Sequence, residues 1–348
     1  MKPKFWMVRS LYLFLAVFLA GCSTIIQRDI PSTRVPLSEI KVQYVQITEP
    51  VSQPRAEISG MAWYGDEWLI MLPQYPGFFT NDNDHGHIFA LKKQDILDYL
   101  DGKRAAPIAP KVIAFVAPGL AQGISGFEGY EAIDFRANDA YLTIEAKSGG
   151  QATGYLVHAL MADDMSSLTI DTTTPTVIDA QSELRNMSDE SLFIADNSLV
   201  TLYEINGDNI NPQPIAHRFG FDLQPLPSIP FANVDYRITD ATSLDSNGRF
   251  WAINYFAPIE GFLERENEAL MMQYGIGATQ RVRDHVERLI EFQYSDTGIT
   301  RIDQAPLYLQ LSAIQHNWEG IVRLDDRGFL LATDKYPGTV LGFVEHVE

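Results

Sequence analysis

The sequence predicts an all-β protein, a β-propeller of five blades that is closed by its N-terminal strand and carries small helical insertions. Three observations predict it. A hairpin pattern recurs five times, a third and a fourth apolar run follow most of the hairpins, and one unassigned strand precedes the first hairpin. Four-stranded antiparallel units of this kind protect their sheet edges by closing into a ring.

The repeat is clearest between residues 130–147 and 318–335, which align without a gap. Each begins with an aromatic residue, continues through an acidic, a small and an apolar position to a polar turn, and ends at a lysine. Three further segments follow the same plan with one-residue slips, and they begin at Ser59, Ser182 and Thr239. Internal repetition of this kind is typical of a propeller.

Two more strands are predicted for each unit. Third apolar runs lie at 87–91, 154–160, 199–205 and 286–292, and fourth runs lie at 111–116, 174–180, 214–219 and 306–311. The last unit has a third run at 339–344 but no fourth, and the unassigned strand at 41–48 supplies it. Residues 39–348 form the predicted propeller domain.

The spacing between units is longer than in compact propellers, so insertions are expected. Residues 92–103, 264–275 and 279–290 have helical patterns. A sixth blade is the alternative if a weak unit lies in 219–238, although three prolines there favour a loop. A β-sandwich with unrelated hairpins is a second alternative, and it does not explain the acidic or small residue that heads each hairpin.

The charge balance restricts the partners. The chain has 26 Lys and Arg against 45 Asp and Glu, a net charge of −19, which is the opposite of a nucleic-acid-binding surface. No nucleic-acid partner is therefore expected. A single cysteine rules out an intrachain disulfide and a Cys-rich metal site.

The N-terminus predicts export. Lys2, Lys4 and Arg9 precede an apolar run at 11–19, which is too short for the roughly 20 residues of a spanning helix. The run ends in Leu-Ala-Gly before Cys22, and this order resembles the lipobox of bacterial lipoproteins. Residues 1–21 are thus the predicted signal peptide, with Cys22 as the lipidated residue.

The segment after the cysteine predicts where in the cell envelope the protein is located. Residues 22–38 contain two prolines and no apolar periodicity, which is typical of a tether. Ser23 follows the cysteine where an aspartate would indicate retention at the inner membrane. By this resemblance we expect a protein anchored by its lipid at the periplasmic face of the outer membrane.

The candidate site is the rim of the central channel, where the first strand of each blade begins and the second ends. The expected leading residues are Ser59, Glu131, Glu183, Asp240 and Glu319. The expected closing residues are Gln74, Glu145, Lys147, Asp196, Asn197, Asn254, Asp334 and Lys335. At about 4 Å and a dielectric of 20, two like charges repel by roughly 4 kcal/mol. The negative charge of these carboxylates must therefore be compensated.

Three ways of compensating this charge are open. Lys147 and Lys335 would neutralise two carboxylates, a Ca²⁺ ion would take several oxygens, and a raised pKa would leave some carboxyls protonated. A purely structural role in capping strand ends is the alternative. Five aromatic residues at the same level either stack on a ligand or wedge between blades: Tyr75, Phe127, Tyr130, Trp318 and Tyr336.

Three motifs together resemble one family. They are ISGMAW at 58–63, GYEAIDF at 129–135 and NWEGIVRLDDRGFLLATDK at 317–335. The pattern is similar to the phytase-like, or esterase-like phytase, group of secreted β-propellers, and it covers most of residues 40–346. Ser59 departs from it, since an acid is expected there.

The resemblance implies hydrolysis of a small ester or phosphoester with Ca²⁺ in the channel. Its catalytic positions correspond here to Glu131, Glu319, Lys147 and Lys335. The carboxylates expected to hold the metal are Glu131, Glu183, Asp196, Asp240, Glu319 and Asp334. A non-catalytic binding or scaffold protein of the cell envelope, with a protein partner that the sequence does not identify, is the alternative function.

Overall fold

A computed structural model describes residues 36–258, 263, 268–335 and 337–346. Its strands form five blades, each of four or five mainly antiparallel strands. Two short strands, β1 (Glu39–Ile40) and β2 (Gln43–Val45), precede the first blade. The predicted signal peptide and Cys22 lie outside the described residues.

Blade 1 contains β3 (Ile58–Tyr64), β4 (Trp68–Pro73), β5 (His85–Lys92) and β6 (Lys111–Val116). Each strand pairs with the next in antiparallel register. The four strands coincide with the predicted hairpin and the two apolar runs that follow it, because β-branched and aromatic residues alternate with small ones between turn residues.

Blade 2 contains the long strands β7 (Phe127–Arg136), β8 (Asp139–Ser148) and β9 (Gln151–Met161). The strands β10 (Ser167–Ile170) and β11 (Thr176–Ile178) both pair with β9. Strand β10 also runs parallel to β6 of blade 1, so the outer edges of the two blades are joined.

Blade 3 contains β12 (Asp189–Ala195), β13 (Ser198–Tyr203), β15 (Ile215–Phe219) and β16 (Pro225–Pro230). The short strand β14 (Ile205–Asn206) leaves this blade and pairs with the first strand of blade 4. All four strands of the blade are antiparallel neighbours.

The prediction for blade 3 was wrong by one strand. The run at 199–205 forms the second strand rather than the third, and the run at 214–219 forms the third rather than the fourth. The prolines that favoured a loop lie on β16, an edge strand, where a missing N–H does not interrupt a sheet. Residues 219–238 therefore complete blade 3 and begin blade 4, and no sixth blade lies there.

Blade 4 contains β17 (Val234–Ala241), β18 (Arg249–Phe256), β19 (Val286–Ser295), β20 (Gly298–Arg301) and β21 (Leu307–Leu309). Both β20 and β21 pair with β19. The N-terminal strand β1 runs parallel to β21 and so extends the outer edge of this blade.

Blade 5 contains β22 (Trp318–Arg323), β23 (Gly328–Thr333) and β24 (Leu341–Glu345). Its fourth strand is β2, which pairs antiparallel with β24 at Tyr44↔Gly342. The prediction that the N-terminal strand completes the last blade is confirmed.

Helices are confined to connections. They are α1 (Lys93–Leu100), α2 (Leu120–Gly123), α3 (Ala269–Tyr274) and α4 (Ala278–Val282), with 3₁₀ turns at Pro76–Phe79 and Asp325–Arg327. Helices α1, α3 and α4 lie in the predicted insertions, although residues from Val286 onward belong to β19. Among the described residues, no helix has the length and apolar character to cross a membrane.

The first strands of the five blades contact one another in a closed ring, in the order β3, β7, β12, β17, β22 and back to β3. The apolar core is divided in the same way, since each of five clusters combines residues of two neighbouring blades. Representative pairs are Ile70 with Val157, Leu156 with Leu199, Val200 with Phe292, Ile253 with Leu331, and Met71 with Leu330. The fold is a five-bladed β-propeller.

Two buried aspartates connect first strands across blade boundaries. The Asp134 carboxylate on β7 accepts a hydrogen bond of 3.0 Å from the Ile194 N–H on β12. Likewise, Asp240 on β17 accepts one of 2.8 Å from the Ile321 N–H on β22, and its other oxygen accepts from Ala241. Each carboxylate therefore satisfies backbone donors that the ring would otherwise leave buried and unpaired.

We predict that Asp240→Ala destabilises the fold by about 1–3 kcal/mol, because it leaves the Ile321 N–H buried without an acceptor. Urea unfolding followed by tryptophan fluorescence measures the change. The matched control is Asp66→Ala in the exposed turn between β3 and β4, which we expect to alter stability little. Equal effects of the two substitutions would contradict the role given to Asp240.

Candidate active site

Every first strand carries a β-bulge. A bulged residue is unpaired in the ladder, and its side chain is turned away from the regular alternation, which is why bulges occur beside active sites. The bulges contain Ser59, Glu131 with Ala132, Glu190, Thr239 with Asp240, and Glu319.

Two of the three bulge glutamates lie beside one guanidinium. Arg237 Nη2, on β17, lies 3.3 Å from Glu190 Oε2 and 3.4 Å from Glu319 Oε1. Its Nε donates to the fully buried carboxylate of Glu204. Three carboxylates from blades 3 and 5 and the β13–β14 junction thus share a single positive charge.

Amide side chains hold the remaining oxygens. Gln74 Nε2, at the end of β4, donates to Glu131 Oε1 at 3.1 Å. Asn317 Nδ2 donates to Glu319 Oε1 at 2.6 Å and lies 3.4 Å from Asp334 Oδ2. Gln74 and Asp334, two of the expected closing residues, therefore lie beside the bulge glutamates Glu131 and Glu319.

The carboxyl groups at the mouth hold protons more tightly than free glutamates. Burial raises the pKa of Glu190 to about 8, against the opposing effect of Arg237 and with added repulsion from Glu145. Burial also raises the pKa of Glu131 and of Glu319 well above the usual range, and in both cases the charge of Glu190 adds to the effect. The mouth is therefore a set of carboxyls that shares protons near neutral pH.

The two bulges without a glutamate position the glutamates of the next blade. Ser59 Oγ donates at 2.6 Å to the carbonyl of Tyr130, the residue before Glu131. Thr239 Oγ1 donates at 2.6 Å to the carbonyl of Trp318, the residue before Glu319. A hydroxyl on one first strand thus fixes the backbone that carries the carboxyl on its neighbour.

Close approach of the first strands also requires a small residue after the bulge. A Cβ atom on Gly60 would lie 3.0 Å from the Glu131 carbonyl oxygen and from the Ala132 Cα. Glycine is therefore needed at this position, because the backbones of β3 and β7 meet there.

The leading residue predicted for blade 3 was wrong, and the one predicted for blade 4, Asp240, shares its bulge with Thr239. Glu190 occupies the bulge where Glu183 was expected, and Glu183 is exposed in the loop before β12. Thr239 takes the hydroxyl role in blade 4, whereas both oxygens of Asp240 accept backbone N–H groups. Asp196 lies in the turn between β12 and β13, at the opposite end of the strand from Glu190.

Three of the remaining predicted carboxylates reach the mouth. Glu131, Glu319 and Asp334 are brought together there, and burial raises the pKa of Asp334. Lys147 Nζ donates to Asn186 Oδ1 at 2.8 Å, and Lys335 Nζ lies 3.3 Å from Glu57 Oε1. The two lysines therefore stand at the outer edge of the cluster, bound to residues other than the bulge glutamates.

Sequence reasoning missed Arg237, Glu190 and Glu204. Arg237 precedes the first aligned residue of its repeat by two positions, so the comparison of hairpins did not include it. A signal for Glu190 was present, because Asp189-Glu190-Ser191 before an apolar run repeats the acidic and small positions of the Glu131 strand.

The predicted metal ligands do not form a cage in the described ranges. No three His, Cys, Asp or Glu side chains among the described residues are arranged to hold a metal ion. Carboxylate and amide oxygens are nevertheless suitable donors for Ca²⁺. At Glu190 and Glu319 the neighbouring positive charge comes from Arg237.

A scan against protein-family models and a search of curated proteins both return no match. Solved structures with a similar fold include a mutant β-fructofuranosidase of Bombyx mori in complex with sucrose. It is 8% identical with a TM-score of 0.49, and the alignment covers 89% of this chain and 63% of that chain. This chain thus spans less than two thirds of the silkworm protein.

Two arabinanases are also similar. An exo-1,5-α-L-arabinanase from a bovine ruminal metagenomic library is 10% identical, with a TM-score of 0.45 and coverage of 86% and 100% of the two chains. The α-L-arabinanase of Cellvibrio cellulosa is 11% identical, with a TM-score of 0.43 and coverage of 81% and 88%. At these values the similarity says nothing about chemistry, and the propeller assignment rests on strand order.

The raised pKa values predict how stability depends on pH. Between the ordinary glutamate value and about 8, the folded state binds more protons at Glu190 than the unfolded chain does. This contribution to stability is complete below the unfolded pKa and is lost as pH rises through the folded pKa. We therefore expect the melting temperature to fall between about pH 5 and pH 8.5.

Differential scanning calorimetry across that range measures the effect. Glu190→Gln should reduce the slope, because the amide does not titrate. The exposed Glu67→Gln, which makes the same change in the β3–β4 turn, should leave the slope as it is. A wild-type slope equal to that of Glu190→Gln would contradict a proton held at Glu190.

Proposed function

We propose that the channel mouth is the active site of a hydrolase that cleaves a small, uncharged carboxylic ester by general acid–base catalysis. The observation that carries the proposal is that Glu190 and Glu319, each placed by a bulge, lie beside the guanidinium of Arg237, while the third bulge glutamate, Glu131, lies close enough to feel their charges. Burial raises the pKa of all three carboxyls. Carboxyls whose pKa values lie near neutral pH are suited to give and take protons in a reaction.

Glu131 is proposed as the general acid. Its side chain accepts a hydrogen bond from the neutral amide of Gln74, and burial together with the charges of Glu190, Glu145 and Glu319 disfavours its ionised form. Although the hydrogen bond from Gln74 opposes the shift, burial raises the pKa of Glu131, so this carboxyl holds its proton more tightly than a free glutamate and can give it to a leaving group.

Glu319 is proposed as the general base. It accepts from Asn317 and from the guanidinium of Arg237, and both donors favour its ionised form. Burial still raises its pKa, so the carboxylate is a stronger base than a free glutamate. Arg237 would thus determine that Glu319 acts as the base and Glu131 as the acid.

The proposed reaction consumes one water. The water oxygen bonds to the acyl carbon of the ester while Glu319 takes one of its protons. The bond from the acyl carbon to the alcohol oxygen then breaks, and that oxygen takes the proton of Glu131. The products are a carboxylic acid and an alcohol, and the two carboxyls return to their starting states by passing a proton from Glu319 to Glu131 through solvent.

The charge of the mouth selects the ester class. Carboxyls outnumber the guanidinium of Arg237 among its immediate neighbours, so a phosphate group would meet repulsion unless a cation came with it. An uncharged carboxylic ester has no such requirement. Of the two reactions that the resemblance to the phytase-like group implies, the charge of the mouth thus favours hydrolysis of a carboxylic ester over hydrolysis of a phosphoester.

Calcium stays a prediction. Glu131, Glu319 and Asp334 are the predicted ligands that the mouth brings together, and Ca²⁺ bound there would polarise an ester oxygen. The acid–base steps at Glu131 and Glu319 do not depend on it.

We predict that Glu319→Gln and Glu131→Gln each lower kcat by about 10²–10⁴-fold, the usual contribution of a positioned acid or base. A chromogenic ester screen on the purified protein measures turnover, and calorimetry checks that each variant is folded. The exposed Glu67→Gln is the control and should retain full activity. Absence of turnover by the wild type on all carboxylic esters would favour the non-catalytic binding protein.

Treatment with a chelator distinguishes acid–base catalysis by the carboxyls from binding of a catalytic Ca²⁺ ion. The acid–base proposal predicts that dialysis against EDTA leaves ester turnover unchanged, as measured with the same screen. Loss of turnover that added Ca²⁺ restores would instead assign the mouth to the predicted metal.

The proposed location is the periplasmic face of the outer membrane, with a lipid on Cys22 as the anchor. The propeller has a strongly acidic sequence, which would be repelled by anionic head groups, so the acyl group must supply the attachment. We predict that Cys22→Ser moves the protein from the membrane fraction to the soluble fraction in a Gram-negative host. Retention of the variant in the membrane pellet would contradict the lipid anchor.

A further inference from the structure

An aromatic cavity of about 190 Å³ lies between blades 1 and 2. Its walls come from the ends of first and second strands, from the 3₁₀ turn after β4 and from α2. The lining residues used below are Tyr75, Pro76, Phe115, Ala121, Phe127 and Tyr130. The proposed acid–base chemistry does not involve any of these side chains.

The cavity adjoins the mouth. Tyr75 follows Gln74, the residue that donates to Glu131, and Tyr130 directly precedes Glu131 in β7. The backbones are also joined, because the Tyr130 N–H donates to the Gln74 carbonyl at 3.0 Å. A molecule that reached Glu131 would therefore have this cavity at its side.

The walls of the cavity are fixed in place. Tyr130 packs edge-on against Phe115 at a centroid distance of 4.9 Å and against Phe127 at 5.4 Å. Phe115 and Tyr130 are buried in the core between the two blades, whereas Tyr75 is 36% exposed and stands where the cavity opens. A rigid aromatic wall with one exposed ring is typical of a binding site for an apolar group.

The volume indicates the size of that group. An apolar cavity of roughly 150 Å³ holds benzene, so this one has room for a six-membered ring and its first linking atom. Edge and face contacts with three aromatic rings favour an aryl group. The neighbouring carboxyls disfavour an anionic one.

We propose that this cavity binds the aromatic ring of the substrate, which makes uncharged aryl and arylmethyl esters the substrate class of the mouth. The inference rests on the proposed function for its reaction, but the binding site can be tested without turnover. The ring would enter past Tyr75 and set the ester carbonyl beside Glu131.

The first experiment measures binding alone, by titration calorimetry of the whole mature chain with benzyl alcohol. We expect benzyl alcohol to bind, and benzoate, which has the same ring and a negative charge, to bind at least about tenfold more weakly. Ala121→Phe, which fills the cavity, should weaken benzyl alcohol binding by about tenfold or more. Ala105→Phe, the same substitution on the exposed loop after α1, should have no effect.

The second experiment uses kinetics with benzyl acetate and methyl acetate. Ala121→Phe should raise KM for benzyl acetate by about tenfold and leave methyl acetate unchanged, because only the first ester fills the cavity. Tyr75→Ala, which removes one wall without filling the space, should act in the same direction if Ala121→Phe fails to fold.

The outcomes separate the two proposals. If benzyl alcohol binds the wild type but not Ala121→Phe, and the wild type turns over no ester, the aryl site is supported and the hydrolase is overturned. Turnover without benzyl alcohol binding, or equal effects of Ala121→Phe and Ala105→Phe, overturns the aryl site and leaves the hydrolase standing. Equal binding of benzoate and benzyl alcohol also overturns it.

Discussion

The guanidinium of Arg237 lies between Glu190, Glu204 and Glu319, and the chemistry of the mouth depends on this arrangement. Five first strands that converge on one axis bring their carboxyls closer than free charges would tolerate. One guanidinium cannot neutralise them all, so protons must make up the difference. A propeller that gathers more glutamates than cations thereby holds carboxyls with raised pKa values, which reach about 8 at Glu190.

The bulges give this arrangement its geometry. Glutamate at three of them points a carboxyl to the mouth, whereas the hydroxyls of Ser59 and Thr239 bind the carbonyl before a glutamate in the next blade. The proposed catalytic positions are thus held by the backbone of the ring rather than by loops. The aryl cavity beside Tyr130 belongs to the same construction, since the strand that presents Glu131 also supplies one of its walls.

Much of the fold could be predicted, because hairpins with a fixed order of acidic, small and apolar residues recur along the chain. Blade 3 could not, because Ser182 to Asn197 imitates the hairpin pattern although its second half is the true first strand, and because prolines hide the edge strand β16. In the site, Glu131 and Glu319 followed from the repeat. Arg237 did not, because its role comes from neighbours that are distant in sequence and meet only when the ring closes.

The most direct measurement of the account is an infrared titration of the carboxyl band in protein with labelled glutamate. We expect a protonated glutamate signal that persists to neutral pH, decreases as the pH rises past about 8 and is smaller when Glu190 is replaced by glutamine. A wild-type protein in which every glutamate has ionised by the ordinary range near pH 4 to 5 would contradict it.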